Sequence, residues 1–488
     1  MQFSASDFST MYRPSRCLGR VFHQRNKTPA AKASAWEEVL TDLGIRHETA
    51  HVGTFPEFVD LRSGVPDDRI VATKRAVESR QPVIYQGVLR AAFPGIPDDT
   101  IVGIPDLLIA NNGSYTIRDC KLSRHADEER HPEILRQMDL YGWLFQTTFG
   151  FPPVALEALL GDGTIATVPM NGGHLALQDL HQIRQTALQT PAPYSPVGWS
   201  KCNGCAYHDH CWEAARGALD IAVLPEVDQS AAETLHTQGT ISIHDLLANY
   251  DATSLAAVQR PWGDHMQRIG SKAAIILQQA RALRDNQVIQ IAPLELNLGP
   301  DVVMFDLEGM PPHLEDSEKV YLWGLQVFGD RSGSYQCALA DFGPQGDENG
   351  WNGFLQLAEQ IFSDYGDIKF LHWATYETTK LRLYMNRYGD QNGIGQRVLD
   401  SCFDLLRVVK KALIFPLPSY SLKVIEQYIG YQRTMEDFGG EWSMAQYVKA
   451  VETEDTTLRN RVMSEIMQYN REDLEATWAV LEWLRKWQ

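Results

Sequence analysis

The chain has 488 residues, 44% hydrophobic and 22% charged, with a formal net charge of −18 and seven cysteines. That length exceeds one ordinary core and calls for two or three domains, and the composition is that of a soluble globular protein. So acidic a chain argues against a protein that coats nucleic acid through bulk basic charge, and does not weigh against an enzyme, since bound cations can reverse the local sign. No apolar run is long enough to span a bilayer, and the polar start MQFSASDFST lacks a signal-peptide layout. The expectation is a cytoplasmic protein with no membrane partner. Seven cysteines in so long a chain are not a secreted disulfide framework, so any cluster among them suggests metal.

Taken in chain order, residues 1–216 read as an α/β domain. A helix is predicted over Ser34 to Gly44, and strands over 83–92, 101–109 and 114–122, the last two joined at Asn111-Asn112-Gly113. A long amphipathic helix follows from Pro132 to Phe149, then a hairpin around Gly161-Asp162-Gly163 and a Pro-rich stretch at 191–196. Residues 217–298 read as a helical connector without strands; its segment LPEVDQSAAETLHTQGTISIHDLLA resembles a helix-hairpin-helix element with Gly239 at the turn. In 299–488, strands at 301–308, 319–329 and 333–341 precede a helix (351–365), a strand (367–372) and helices to the end. Strands first, with helices packed over them, fit an RNase H-like fold.

Two short motifs carry the chemistry of this last domain. In FDLEGMP (305–311), alternation along a strand puts Asp306 and Glu308 on one face and Leu307 in the core. In YNRED (469–473), Tyr469 and Asp473 lie one helical turn apart on a common face. Carboxylates placed in this way can hold two divalent metals around a phosphodiester. The pattern resembles the DEDDy 3′–5′ exonucleases. In DnaQ-like exonucleases the third acid ends an H-N-A-x-F-D segment, which His372 to Glu377 (HWATYE) matches with Trp373 for Asn and Glu377 for Asp. DSCFDLLRVVK (400–410) resembles the helix that follows, with Asp404 in a supporting position. The resemblance makes Asp306, Glu308, Glu377 and Asp473 metal ligands, and Tyr469 the residue that orients the attacking water.

In the first domain, Asp106 ends the apolar stretch IVGIPD, and Asp119-Cys120-Lys121 follows in YTIRDCKLS with Asp119 and Lys121 on one face. Asp…(D/E)-x-K on adjoining strands resembles the PD-(D/E)XK nucleases, in which the carboxylates bind metal and the lysine polarises water or steadies phosphate charge. Gln137-x3-Tyr141 on the next helix matches the Q-x3-Y motif of RecB-like members. A first-helix acid normally completes such a site. Glu37 is the candidate, although Ser34-x-x-Glu37 also reads as a capping box. Glu38 and His47-Glu48 are alternatives, and Trp36 stands where the family often has a metal-binding histidine.

Cys202-x2-Cys205-x5-Cys211 with a distant Cys17 resembles the [4Fe–4S] staple of RecB-like nucleases. Zinc is the alternative, with His208 and His210 as further ligands. Cys120, Cys337 and Cys402 lie inside regular elements and read as packing residues. The whole chain resembles a RecB-like nuclease carrying a C-terminal RNase H-like exonuclease domain. The resemblance implies a Mg²⁺- or Mn²⁺-dependent nuclease on single-stranded DNA or RNA, DNA being favoured, with 3′–5′ trimming by the C-terminal site. Its partners would be repair or defence proteins. The alternative is an adaptor that binds nucleic acid in a repair or defence complex with one or both sites inactive.

Overall fold

The computed structural model describes residues 1–312, 318–435 and 439–487. Two compact units emerge: Met1–Ala33, Glu37–Ser195 and Ser200–Cys211 form the first, and Ser34–Trp36, Pro196–Trp199 and Trp212–Gln488 the second. Among the described residues, no helix is long and apolar enough to cross a membrane.

The first unit contains, in order, β1 (Gln2–Ser4), α1 (Leu18–Arg25), α2 (Ala35–Val52), β2 (Val59–Asp60), α3 (Pro66–Glu78), β3 (Val83–Tyr85), β4 (Leu89–Phe93), β5 (Ile96–Gly103), β6 (Leu107–Asn111) and β7 (Ser114–Cys120). Then come α4 (Pro132–Phe149), β8 (Ala155–Leu159), β9 (Ile165–Val168), α5 (His174–Leu188) and the start of α6 (His208–Gly217), through Cys211. Six strands form a mixed sheet in the order β2-β3-β6-β7-β8-β9, while β1, β5 and β4 make a separate three-stranded sheet. Helix α4 occupies the predicted span; its Ile134, Met138, Tyr141 and Phe145 recur at helical spacing and enter the core. Gly150 caps it at φ +80°, a conformation that costs glycine no Cβ clash.

Three expectations for this unit need correction. The strand expected over 83–92 is two strands in different sheets, because the backbone turns at Gln86, φ +52°. The strand expected over 101–109 breaks at residues 104–106, where Pro105 offers no N–H to a ladder. Helix α2 does not stop at Gly44 but continues to Val52, since one interior glycine costs only about 1 kcal/mol and buried Leu43 and Val52 anchor both sides of it.

The second unit contains α7 (Gln229–Thr237) and α8 (Ile243–Asn249), joined through Gly239 at φ +83°. The strand-free expectation for this region fails at a hairpin, β10 (Gln259–Trp262) and β11 (His265–Arg268), closed by Gly263-Asp264. Both strands are exposed except at Arg260, so no apolar alternation marks them. Helix α9 (Lys272–Asp285) follows, and then β12 (Ile289–Gln290).

The remainder comprises β13 (Val302–Met310), β14 (Lys319–Phe328), β15 (Gln336–Leu339), α10 (Gly343–Tyr365), β16 (Lys369–His372), α11 (Tyr376–Tyr388), β17 (Cys402–Asp404), α12 (Leu405–Ala412), β18 (Leu413–Ile414), α13 (Leu422–Tyr428), α14 (Gly440–Glu452) and α15 (Thr456–Trp487). The sheet order is β15-β14-β13-β16-β17, antiparallel from β13 to β15 and parallel from β13 to β17. Strand β17 corrects the all-helical reading of this stretch, since Cys402 to Asp404 extend beside β16 before Asp404 caps α12 through the Arg407 N–H at 3.0 Å.

Central strand β13 is covered on both sides. Val303, Phe305 and Leu307 pack with Trp351 and Phe354 of α10, while Val302 and Met304 pack with Leu474, Val480 and Leu481 of α15. Alternation therefore puts Asp306 and Glu308 on the α15 side.

Candidate active sites

In the second unit, ligand oxygens of Asp306, Glu308 and Asp473 all lie within 4.8 Å of one another, the only such acidic, histidine or cysteine trio among the described residues. Burial, then Asp473, Glu308 and Glu377, lift the Asp306 carboxyl well above its ordinary range. Burial followed by Asp473 does the same to Glu308. These carboxylates would hold a divalent cation that offsets their repulsion, and hard oxygen donors suit Mg²⁺ or Mn²⁺. Tyr469, one turn before Asp473 on α15, is buried beside the trio, and burial followed by the same carboxylates pushes its hydroxyl upward in pKa.

Glu377 stands next to this trio rather than within it. Its Oε2 lies 3.4 Å from Nδ1 of buried His372, and the histidine is lifted to about 10 by Cys402 and Glu377 although burial opposes it. Trp373, in the place of the expected asparagine, donates its indole N–H to the Tyr420 carbonyl at 3.0 Å.

Sequence reasoning missed three residues here. Asn470, fully buried within YNRED itself, donates to Asp306 Oδ2 at 2.6 Å and accepts from the Tyr335 hydroxyl at 2.9 Å. Its position between two motif residues was the available signal. Arg433 pairs with both Glu426 and Asp473, and Lys423 lies over the Tyr469 ring at 5.5 Å. Neither has a recognisable sequence signature, since both depend on how the segment after α12 folds back.

In the first unit, Asp106 lies in the break between β5 and β6 and Asp119 near the end of β7. Asp106 Oδ2 accepts from the Cys120 N–H at 2.7 Å, and Asp119 Oδ1 from the Asp106 N–H at 3.2 Å. Lys121 Nζ reaches Asp119 at 2.5 Å and Gln137 Oε1 at 3.0 Å. Gln137 Nε2 donates to Asp119 at 3.1 Å and to Tyr141 Oη at 2.9 Å. One amide thus ties the lysine, the aspartate and the tyrosine together. Burial, then Asp119 and Glu48, raise Asp106 to about 8, so this pocket too holds more negative charge than its lysine offsets.

The first-helix acid that reaches this pocket is Glu48. Its carboxylate accepts from Gln86 Nε2 at 2.7 Å, while the Gln86 N–H donates to the Asp106 carbonyl at 2.7 Å. Glu37 is exposed and lies three turns earlier on α2, about 16 Å along the axis. The extra turns of α2 explain the difference: a helix ending at Gly44 would never have carried residue 48. Gln86, at φ +52°, holds the acid from a strained backbone position.

In the first unit Cys17, Cys202 and Cys205 lie close enough to Cys211 to act on its thiol. Burial raises the Cys211 thiol to about 12, with Cys17, Cys205 and Cys202 each adding to the rise. Cys17 caps α1, accepting from the Arg20 N–H at 3.4 Å, and Cys211 Sγ lies 3.5 Å from His23 Nε2.

Comparison with known families decides what these pockets belong to. Residues 15–212 match the PD-(D/E)XK nuclease superfamily, and residues 303–485 match the RNase H superfamily. The chain joins a PD-(D/E)XK nuclease domain to an RNase H-like domain. Both superfamilies contain nucleases that use divalent metals, which implies nucleic-acid substrates. No curated protein matches the chain. Among solved structures, the crystal structure of SSO0001 is similar over 43% of this chain and 85% of that one, at 15% identity and a TM-score of 0.22, too slight a likeness to carry weight. The Asp106–Asp119–Lys121 pocket thus lies in the PD-(D/E)XK domain and the Asp306–Glu308–Asp473 pocket in the RNase H-like domain.

Proposed function

We propose that this protein is a metal-dependent nuclease of single-stranded nucleic acid, DNA foremost, whose RNase H-like domain trims strands from the 3′ end. The observation that carries this reading is the convergence of half-buried Asp306 with buried Glu308 and Asp473 within 4.8 Å, with Tyr469 one turn before Asp473. Those three carboxylates would hold Mg²⁺ or Mn²⁺, which when bound supplies charge stabilisation at a phosphodiester. Asn470 fixes the Asp306 carboxylate. Tyr469 holds a water by its hydroxyl, and Glu377 supports the site from its pairing with His372 instead of completing the trio. The test is digestion of 5′- and 3′-labelled DNA and RNA single strands in Mn²⁺. The expected result is a ladder shortening from the 3′ end that Tyr469→Phe slows by about 10²-fold, as loss of a positioning hydrogen bond does. If no strand is degraded in Mg²⁺ or Mn²⁺, the protein is a binding adaptor instead.

The PD-(D/E)XK pocket is a second hydrolytic site, in which Asp106, Asp119 and Glu48 would hold metal and Lys121 faces the phosphate. Glu48→Gln is expected to abolish the cutting that survives in an Asp306→Asn background, and Glu37→Gln to leave it unchanged. Equal loss from both variants would remove Glu48 from this role.

The cysteines are the ligands of a [4Fe–4S] cluster in this reading. Cys17, Cys202 and Cys205 each act electrostatically on Cys211, yet no three of the four sulfurs lie within 4.8 Å of one another. Thiolates on a single zinc would be about 3.8 Å apart, from Zn–S bonds of about 2.3 Å. Anaerobically purified protein should therefore be brown and absorb near about 400 nm, and Cys17→Ser should lose the colour. Colourless protein with stoichiometric zinc and no iron would reverse the assignment.

A further inference from the structure

The carboxylate trio of the RNase H-like domain is flanked by cations that belong to none of its motifs. Arg433 donates through Nε and Nη2 to the two oxygens of Glu426, each at 2.7 Å, and Nη2 also donates to Asp473. Glu426 is 3% exposed, so this carboxylate grips the guanidinium from behind and fixes its plane. Arg433 Nη1 is buried and has no hydrogen-bond partner among the described residues. Lys423 lies one turn before Glu426 on α13, and its ammonium acts on both Asp473 and Glu308. The two cations converge on one ring: Lys423 Nζ is 5.5 Å and the Arg433 guanidinium 5.9 Å from the centre of Tyr469.

We propose that Arg433 and Lys423 form a phosphate-binding pair, holding the non-bridging oxygens of the terminal phosphodiester beside Tyr469. The proposal rests on the reading of this site as one that hydrolyses phosphodiesters. Three gathered carboxylates on a chain of net charge −18 repel an anionic substrate at the point where it must come closest. Fixed cations at that point answer the repulsion, and a guanidinium with a spare N–H matches a phosphate edge better than any other side chain. A brace for Asp473 alone would use Nη2 and leave no reason for a buried donor without an acceptor, which is costly unless a ligand supplies one.

The test uses the full chain with the PD-(D/E)XK pocket silenced by Asp119→Asn. Thymidine 5′-monophosphate and thymidine are titrated in Mn²⁺, and Mn²⁺ affinity is measured separately. Because Arg433→Gln alone strands a buried carboxylate, it is paired with Glu426→Gln, and Lys423→Gln serves as an independent variant. Each is expected to weaken the monophosphate by about 10- to 100-fold, the range for a hydrogen bond to a charged group, while thymidine affinity stays the same and Mn²⁺ affinity does not fall. An unchanged preference for the monophosphate, with or without loss of Mn²⁺ affinity, overturns the pair and makes Arg433 a brace for Asp473. Wild-type protein that shows no such preference yet degrades strands overturns the pair alone. Wild-type protein that neither prefers the monophosphate nor degrades strands overturns the hydrolytic reading with it.

Discussion

Asp306→Asn is expected to lower 3′ trimming by about 10³-fold, the rate equivalent of losing several kcal/mol of metal-borne charge stabilisation, and to stabilise the metal-free protein. The two effects share one cause. Burial, and then Asp473, Glu308 and Glu377, raise the Asp306 carboxyl, so the folded protein keeps a proton that the unfolded chain releases near its ordinary value of 3.8. Where the unfolded state binds fewer protons, stability falls as pH rises. The metal-free wild type should therefore lose stability above that ordinary value, and Asp306→Asn should flatten the slope because an amide does not ionise. Mn²⁺ at 100 times its dissociation constant should restore about 2.7 kcal/mol for each pocket it fills, so the variant, which retains only the PD-(D/E)XK pocket, should gain less than the wild type by about that amount. Melting curves in EDTA and in Mn²⁺ across pH 5 to 8, beside a trimming assay, measure all of this. Trimming by Asp306→Asn at the wild-type rate would falsify the assignment of the site.

Gly324→Ala should be as damaging to trimming as many ligand substitutions, although residue 324 binds nothing. Gly324 pairs with Asp306 across β13 and β14, and a Cβ added there would lie 1.8 Å from Asn470 Oδ1. That oxygen cannot coexist with a methyl group, so Asn470 must leave its bonds to Asp306 and Tyr335. Overpacking of this kind costs about 1–3 kcal/mol, and loss of the buried hydrogen bonds adds about 1 kcal/mol each. A drop of about 3 kcal/mol in stability and of about 10²-fold in trimming is expected. Adding Asn470→Ala should recover the part of the stability lost to overpacking, because the clash is gone, but neither the hydrogen-bond part nor the rate, because Asp306 is still unsupported. A double-mutant cycle by denaturant unfolding reads the coupling. Additive losses in the double variant would mean that the two residues do not meet.

Much of this was legible in the sequence because it depended on short-range rules. Alternation put Asp306 and Glu308 on one side of β13, helical spacing put Tyr469 beside Asp473, and the same spacing put Gln137 beside Tyr141. Apolar periodicity marked α4 over its whole length. What the sequence left open turned on contacts between distant segments. Whether α2 stopped at Gly44 was a matter of about 1 kcal/mol, decided by the burial of Leu43 and Val52, and with it went the choice between Glu37 and Glu48. The exposed β10–β11 hairpin buries almost nothing, so hydropathy could not show it. Glu377 carries the right charge at the expected position, but only the fold sets His372 against it at 3.4 Å. Arg433 and Lys423 become neighbours of Asp473 through the path of the segment after α12, which no local pattern encodes. Sequence periodicity determines which face of an element a side chain takes; which elements then face each other is settled by packing, since only there do burial and charge from remote parts of the chain act on the same atoms.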